Sequence, residues 1–98
     1  MGRAMKLLNF KPLKDLVDQE PDCAMPLAAW RDTVFEATWE NFGEMAQDLA
    51  VAPVEGGDHV LFTVVPQICL VEAKVLFRRQ VVMVTGARLL RAFGRRAA

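Results

Sequence analysis

Six cations in the last third of the chain are the residues best suited to chemistry: Lys74, Arg78 and Arg79, then Arg88, Arg91 and Arg95. Ammonium and guanidinium groups grip phosphate oxygens and offset negative charge as it builds up in a transition state. Spacing divides the six into two sets. Lys74 lies in a run that alternates with period two, so it belongs to one face of a strand, and Arg78 and Arg79 follow where that strand turns. Arg88, Arg91 and Arg95 recur at i, i+3 and i+7, the spacing of one side of a helix. Glu72 shares the strand face of Lys74. It either forms a surface pair with that lysine or, if deeply buried, serves as a general base.

Charge is sorted along the whole chain. All twelve acids lie between Asp15 and Glu72, with Arg31 as the one positive residue among the helical acids. Arg3, Lys6, Lys11 and Lys14 precede the acidic stretch. Lys74, Arg78, Arg79, Arg88, Arg91, Arg95 and Arg96 follow Glu72. The formal net charge of zero thus conceals a central block of about −11 between basic ends of +4 and +7. Such sorting sets up a basic surface, and the partners of a basic surface are phosphates or an acidic protein.

Ninety-eight residues make one domain, residues 1–98. Apolar residues make up 53%, enough for a packed core. No apolar run approaches the roughly 20 residues that span a bilayer. The first residues lack the apolar core of a secretion signal, so the expected location is the cytoplasm, with no membrane partner. Cys23 and Cys69 are the only cysteines and His59 the only histidine. A structural zinc site takes about four ligands, so neither metal nor cofactor is expected, and both cysteines read as buried free thiols.

The elements that must position these residues follow from periodicity. Met5 to Leu8 is an edge strand or a lead-in to the first helix. Asn9 is placed as an N-cap and Pro12 suits a first turn, with Leu13, Leu16 and Val17 at helical spacing up to Gln19. Leu27, Trp30, Val34 and Ala37 mark the face of a second helix, from about Cys23 to Thr38. A further helical turn is expected from Glu44 to Leu49. The period then changes from 3.6 to 2. Leu49 to Val54, His59 to Val65, Ile68 to Phe77 and Val81 to Val84 read as strands, joined by Glu55-Gly56-Gly57-Asp58, Pro66-Gln67 and Arg78-Arg79-Gln80. Thr85 to Ala98 reads as a short C-terminal helix. Helices first and strands later predict an α+β fold: two N-terminal helices packed on one face of a three- to five-stranded antiparallel sheet. In the long strand, Cys69, Val71, Ala73, Val75 and Phe77 belong against the helices. Ile68, Leu70, Glu72, Lys74 and Leu76 take the other face.

Several segments resemble HigB-type toxins of the RelE superfamily, ribosome-associated mRNA interferases of type II toxin–antitoxin modules. They are EPDCAMPLAAW (Glu20 to Trp30), Trp39 after the second helix, GGDHVLF (Gly56 to Phe62) and VLFRRQVVMV (Val75 to Val84). The resemblance runs from Met5 to Val84. It implies a RelE-like fold and metal-independent cleavage of mRNA on the ribosome, in which a 2′-hydroxyl attacks the adjacent phosphate. It also implies a helix-turn-helix antitoxin as partner. On this reading Lys74, Arg78 and Arg79 are the catalytic residues, and Arg88, Arg91 and Arg95 bind RNA.

The sequence departs from the family's pattern where catalysis is concentrated. The family's long strand carries Tyr, then Arg, and four residues later another Arg; here those positions hold Cys69, Leu70 and Lys74. After the last strand the family runs Arg-Phe-Val-Gly-Thr-His, then an acid and Tyr. Here Thr85 to Leu90 supplies neither His nor Tyr, and the whole chain has no tyrosine. His59 stands where the family has Arg. The alternative is therefore a degenerate homologue that keeps the fold and binds an antitoxin or RNA without cleaving it. In that case an acidic helical face (Asp18, Glu20, Asp22, Asp32, Glu36) matters more than the sheet.

Overall fold

The chain opens with a strand in a computed structural model that describes residues 5–54 and 59–90. This strand, β1 (Lys6–Leu8), is followed by α1 (Lys11–Gln19), a 3-10 turn (Pro21–Cys23), α2 (Ala24–Glu36) and α3 (Phe42–Asp48). Then come β2 (Val51–Pro53), β3 (His59–Val65), β4 (Cys69–Leu76), a second 3-10 turn (Phe77–Arg79) and β5 (Val81–Leu89). The fold is α+β, with strand order β1-β5-β4-β3-β2. No helix among the described residues is long and apolar enough to cross a membrane.

Three features correct the expected architecture. The sheet is mixed, because β1 runs parallel to β5 while the other neighbours are antiparallel. Local turns imply antiparallel neighbours, but a pairing between the two ends of the chain leaves no turn to read. Second, the described residues form three helices, and these follow a strand. The third is a formed helix: Asn41 Oδ1 caps it by accepting from Glu44 N at 2.9 Å, and Glu44 Oε1 accepts from Glu40 N at 2.8 Å.

The third correction concerns the tail. Thr85 to Leu89 continues β5 instead of starting a helix, and Leu90 N donates to Ile68 O at 2.6 Å. A bulge explains why the pattern misled. Glu72 pairs with Gly86 but Ala73 pairs with Val84, leaving Thr85 as an extra residue. The bulge restores the facing after one residue, so Val82 and Val84, then Ala87 and Leu89, all pack toward the helices. In the sequence that slip looks like the end of a period-two run. The rest of the expected tail helix lies outside the described residues.

Asn9 also differs from its expected role. It adopts a left-handed φ of 67°, and its Nδ2 donates to Val84 O at 2.8 Å, while Phe10 takes the N-cap position. Asparagine tolerates this region of backbone space better than most residues. The side chain therefore bolts the β1–α1 corner onto β5.

All three helices cover one face of the sheet: α1 lies over β5, α2 over β1 and β3, and α3 beside β2. Between the layers lies a continuous core in which Trp30 meets Phe62 edge to face, ring centroids 5.1 Å apart. The alternation expected for the long strand holds from Cys69 to Leu76: its odd-numbered members Cys69, Val71, Ala73 and Val75 are buried, and Leu70, Glu72, Lys74 and Leu76 are half-buried on the side without helices. Of the expected acidic helical face, Asp18, Asp22, Asp32 and Glu36 are exposed, but Glu20 is buried in the junction between α1 and α2.

Candidate functional site

The face of the sheet that no described helix covers is built from cross-strand rows. Register sets His59 of β3 opposite Lys74 of β4, Lys74 opposite Met83 of β5, and Met83 opposite Leu8 of β1. Residues so paired have Cβ atoms about 4.5–5.5 Å apart. Lys74 therefore stands near the middle of the face with an imidazole on one side and apolar side chains on the other. An adjacent row places Leu76 opposite Val81 and Val81 opposite Lys6, adding an exposed ammonium at the β1 edge.

Lys74 and Glu72 do not form the surface pair that their spacing allowed. Among the described residues the ion pairs are Lys11 with Asp15 at 3.2 Å and Arg31 with Asp32 at 3.4 Å, both exposed. The carboxylate of Glu72 instead accepts from Thr85 Oγ1 at 3.4 Å. Among the described residues Lys74 has no ion-pair partner, which leaves its charge available to a ligand.

Arg78 and Arg79 occupy the exposed 3-10 turn that ends β4. Gln80 sets that turn. It takes a left-handed φ of 55°, and its Nε2 donates to Phe77 O at 2.8 Å and to Trp39 O at 2.7 Å. Trp39 is itself held by an Nε1 donation to Asp48 Oδ2 at 2.7 Å. The rim that carries both arginines is thus tied through one glutamine to the linker between α2 and α3.

Arg88 is an exposed residue of β5, opposite Leu70. It therefore sits at the other end of the hairpin from Arg78 and Arg79. The six steps from Leu70 to Leu76 span about 20 Å of strand, so the sheet does not gather these arginines at one point. They bracket Lys74 from both ends. The helical spacing expected to unite Arg88 with Arg91 and Arg95 does not apply to Arg88, which is in a strand. Arg91 and Arg95 lie outside the described residues.

His59 was the residue that sequence reasoning undervalued. Set against the toxins that the sequence resembles, His59 reads only as a residue in the place of an arginine. Only the register of β3 against β4 reveals that it neighbours Lys74. The visible signal was its place at the start of a period-two run, on the same parity as Leu61 and Thr63.

Both cysteines are free, and both are fully buried. The fold brings Cys23, at the start of α2, into hydrogen-bonding contact with Cys69 of β4, although 45 positions separate them. Burial pushes the Cys69 thiol up to about 12, with the nearby Cys23 adding to the effect. Burial also raises Cys23, opposed by its hydrogen bond with Cys69 and reinforced by the charges of Glu20 and Asp22. Thiols held protonated in this way are poor nucleophiles. Among the described residues no group of three or more His, Cys, Asp or Glu side chains gathers to hold a metal ion.

No protein-family model and no curated protein matches this chain.

Proposed function

We propose that the uncovered sheet face binds single-stranded RNA and that the chain is a HigB-like ribonuclease acting on mRNA at the ribosome in the cytoplasm. The observation that carries this reading is the row containing His59 and Lys74, on a face that no helix among the described residues covers, with Arg78 and Arg79 at one end and Arg88 at the other. A strip of cations of this kind follows a phosphate backbone, and half-buried aliphatic side chains between the cations offer a surface for unstacked bases.

The chemistry requires three services. The 2′-hydroxyl must lose a proton as its oxygen attacks the adjacent phosphorus, and His59 accepts it. The charge that builds on the phosphate oxygens must be offset, and Lys74 with the turn arginines does so. The bond from phosphorus to the 5′-oxygen then breaks, and that oxygen takes a proton from the Lys74 ammonium. The products are a 2′,3′-cyclic phosphate and a 5′-hydroxyl. His59 and Lys74 thus take over proton transfers for which the family pattern would have used the missing tyrosine and C-terminal histidine.

A second reading is binding without cleavage. The lack of any tyrosine supports it. So does a cleft of about 280 Å³ between α1 and α2, where Phe10, Leu13, Val17 and Leu27 form the floor and Lys14, Asp18 and Arg31 the rim. Such a cleft suits a helix of an antitoxin.

One experiment separates them. The protein is added to translating ribosomes, and transcript ends are mapped for the wild type and for Lys74→Ala, Arg79→Ala and His59→Ala. Cleavage that falls at least about 100-fold in the His59 and Lys74 variants supports the enzyme. Intact transcripts with wild-type protein in excess eliminate it and leave the binding module.

A further inference from the structure

One recess on the open face lies beyond the His59–Lys74 row and has no part in the cleavage just described. It measures about 150 Å³ and is lined by Leu61, Leu70, Glu72, Gly86, Ala87 and Arg88. Two rows build it: Leu61, Glu72 and Gly86 lie opposite one another in the first, and Leu70 and Arg88 in the second. The bulge at Thr85 and the bare Gly86 open it. A Cβ added at Gly86 would come 3.8 Å from Glu72 Oε1, so even one methyl group would line the carboxylate's approach.

The recess holds a carboxylate and a guanidinium that are not paired with each other. Among the described residues neither Glu72 nor Arg88 takes part in an ion pair, and Glu72 makes only the long contact with Thr85. Opposite charges lining one small hollow and left apart are complementary to a ligand that is donor on one edge and acceptor on another. The leucines add a requirement for a flat, apolar body.

We infer that this recess is a base-reading subsite that takes guanine from a single-stranded RNA bound along the sheet. The inference rests on the RNA-binding reading above. Guanine fits because its N1–H and exocyclic N2–H groups form a paired donor edge for the two oxygens of Glu72, while O6 and N7 form an acceptor edge for Arg88. Adenine, cytosine and uracil each lack one half of this pairing: none presents two adjacent donors beside a two-acceptor edge. The subsite lies on the Arg88 side of Lys74, so the base it reads belongs to a nucleotide beside the one whose phosphate is attacked.

The test is equilibrium binding by calorimetry, with 2′-deoxy substitution at every position of the oligonucleotides to prevent cleavage. Five-residue strands of uridine are compared with the same strand carrying central guanine, hypoxanthine or adenine. The guanine strand is expected to bind about tenfold more tightly than the uridine strand, in keeping with one bidentate base contact. Hypoxanthine, which lacks the N2 amino group, should lose most of that gain, and adenine nearly all of it. Glu72→Gln should abolish the guanine preference while leaving uridine-strand affinity within about twofold, and Gly86→Val should do the same by filling the recess. Equal affinity for the guanine and uridine strands overturns the subsite and leaves the RNA-binding reading standing. Failure of every strand to bind, an unsubstituted ribonucleotide strand of the same sequence included, overturns both.

Discussion

On the helix side of β4, Cys69, Val71 and Ala73 are wholly buried and Val75 nearly so; on the other side Leu70, Glu72, Lys74 and Leu76 are only half-buried. The two sets alternate residue by residue along one strand. The covered set contains no charge and only one polarisable atom type, the sulfur of Cys69. The open set contains the carboxylate and the ammonium of the strand, flanked by leucines. Pleating alone separates these two environments, and a one-residue slip of register would exchange them. The bulge at Thr85 absorbs such a slip, so that β5 keeps both its packed face and its open face to Leu89. One strand can therefore serve folding and the proposed binding with little interference, because the two sets of residues share a backbone and not a surface.

The largest expected effect tests the covered face. Phe62 is fully buried against Trp30, while Leu61 beside it points to the open side. Phe62→Ala should lower unfolding free energy by about 3–5 kcal/mol in urea titration. Leu61→Ala should cost about 1 kcal/mol, in line with the smaller area it removes from water. Similar losses at both positions would show that the open face is packed as firmly as the other.

A smaller effect is expected at the junction of the two faces. Gln80 satisfies the carbonyls of Phe77 and Trp39 while holding a left-handed backbone. Gln80→Ala should lower stability by about 1–3 kcal/mol through the Trp39 carbonyl it leaves unsatisfied, since Phe77 O still accepts from the backbone N–H of residue 80 at 3.1 Å and the left-handed φ is unchanged. Gln80→Gly, which relieves the φ and not the hydrogen bonds, should recover part of the loss. The same variants should weaken RNA binding through Arg78 and Arg79 without changing the guanine preference at the opposite end of the hairpin. A Gly variant no better than the Ala variant would remove backbone strain from this account.

The smallest effect concerns the two thiols under the sheet. In the unfolded chain Cys69 ionises at about pH 8.5, but in the fold its thiol is pushed up to about 12. Its folded value is raised, so its contribution to stability is complete below about pH 8.5 and is lost as pH rises toward 12. Chemical denaturation between pH 8 and 10.5 should show wild-type stability falling more steeply than that of Cys69→Ala. Parallel slopes would mean that Cys69 ionises as easily in the fold as out of it. A thiol reagent should likewise modify Cys23 and Cys69 only as fast as the protein opens.

Much of this was legible in the chain. Period-two alternation separated the faces of β4 and marked β3 to its last residue, since side chains on a strand must alternate whatever else the fold does. Helical spacing placed α1 and α2 to within two residues, because Leu13, Leu16, Leu27, Trp30 and Val34 each need one apolar side. The parallel pairing of β1 with β5, the meeting of Cys23 with Cys69 and the approach of His59 to Lys74 were not legible. Each joins residues through the packing of separate segments, and no local pattern records which segments will lie side by side.

The division has one physical cause. Secondary structure and the facing of side chains depend on steric and hydrophobic preferences that repeat over a few residues, so the order of amino acids was enough to determine them. Strand order, the bulge that carries Arg88 onto the open face and the recess between Glu72 and Arg88 depend on closing one core around all the elements together. That choice belonged to the tertiary structure, where burying Phe62, Val71 and Val84 under the helices leaves Lys74 and His59 side by side on the face that stays open.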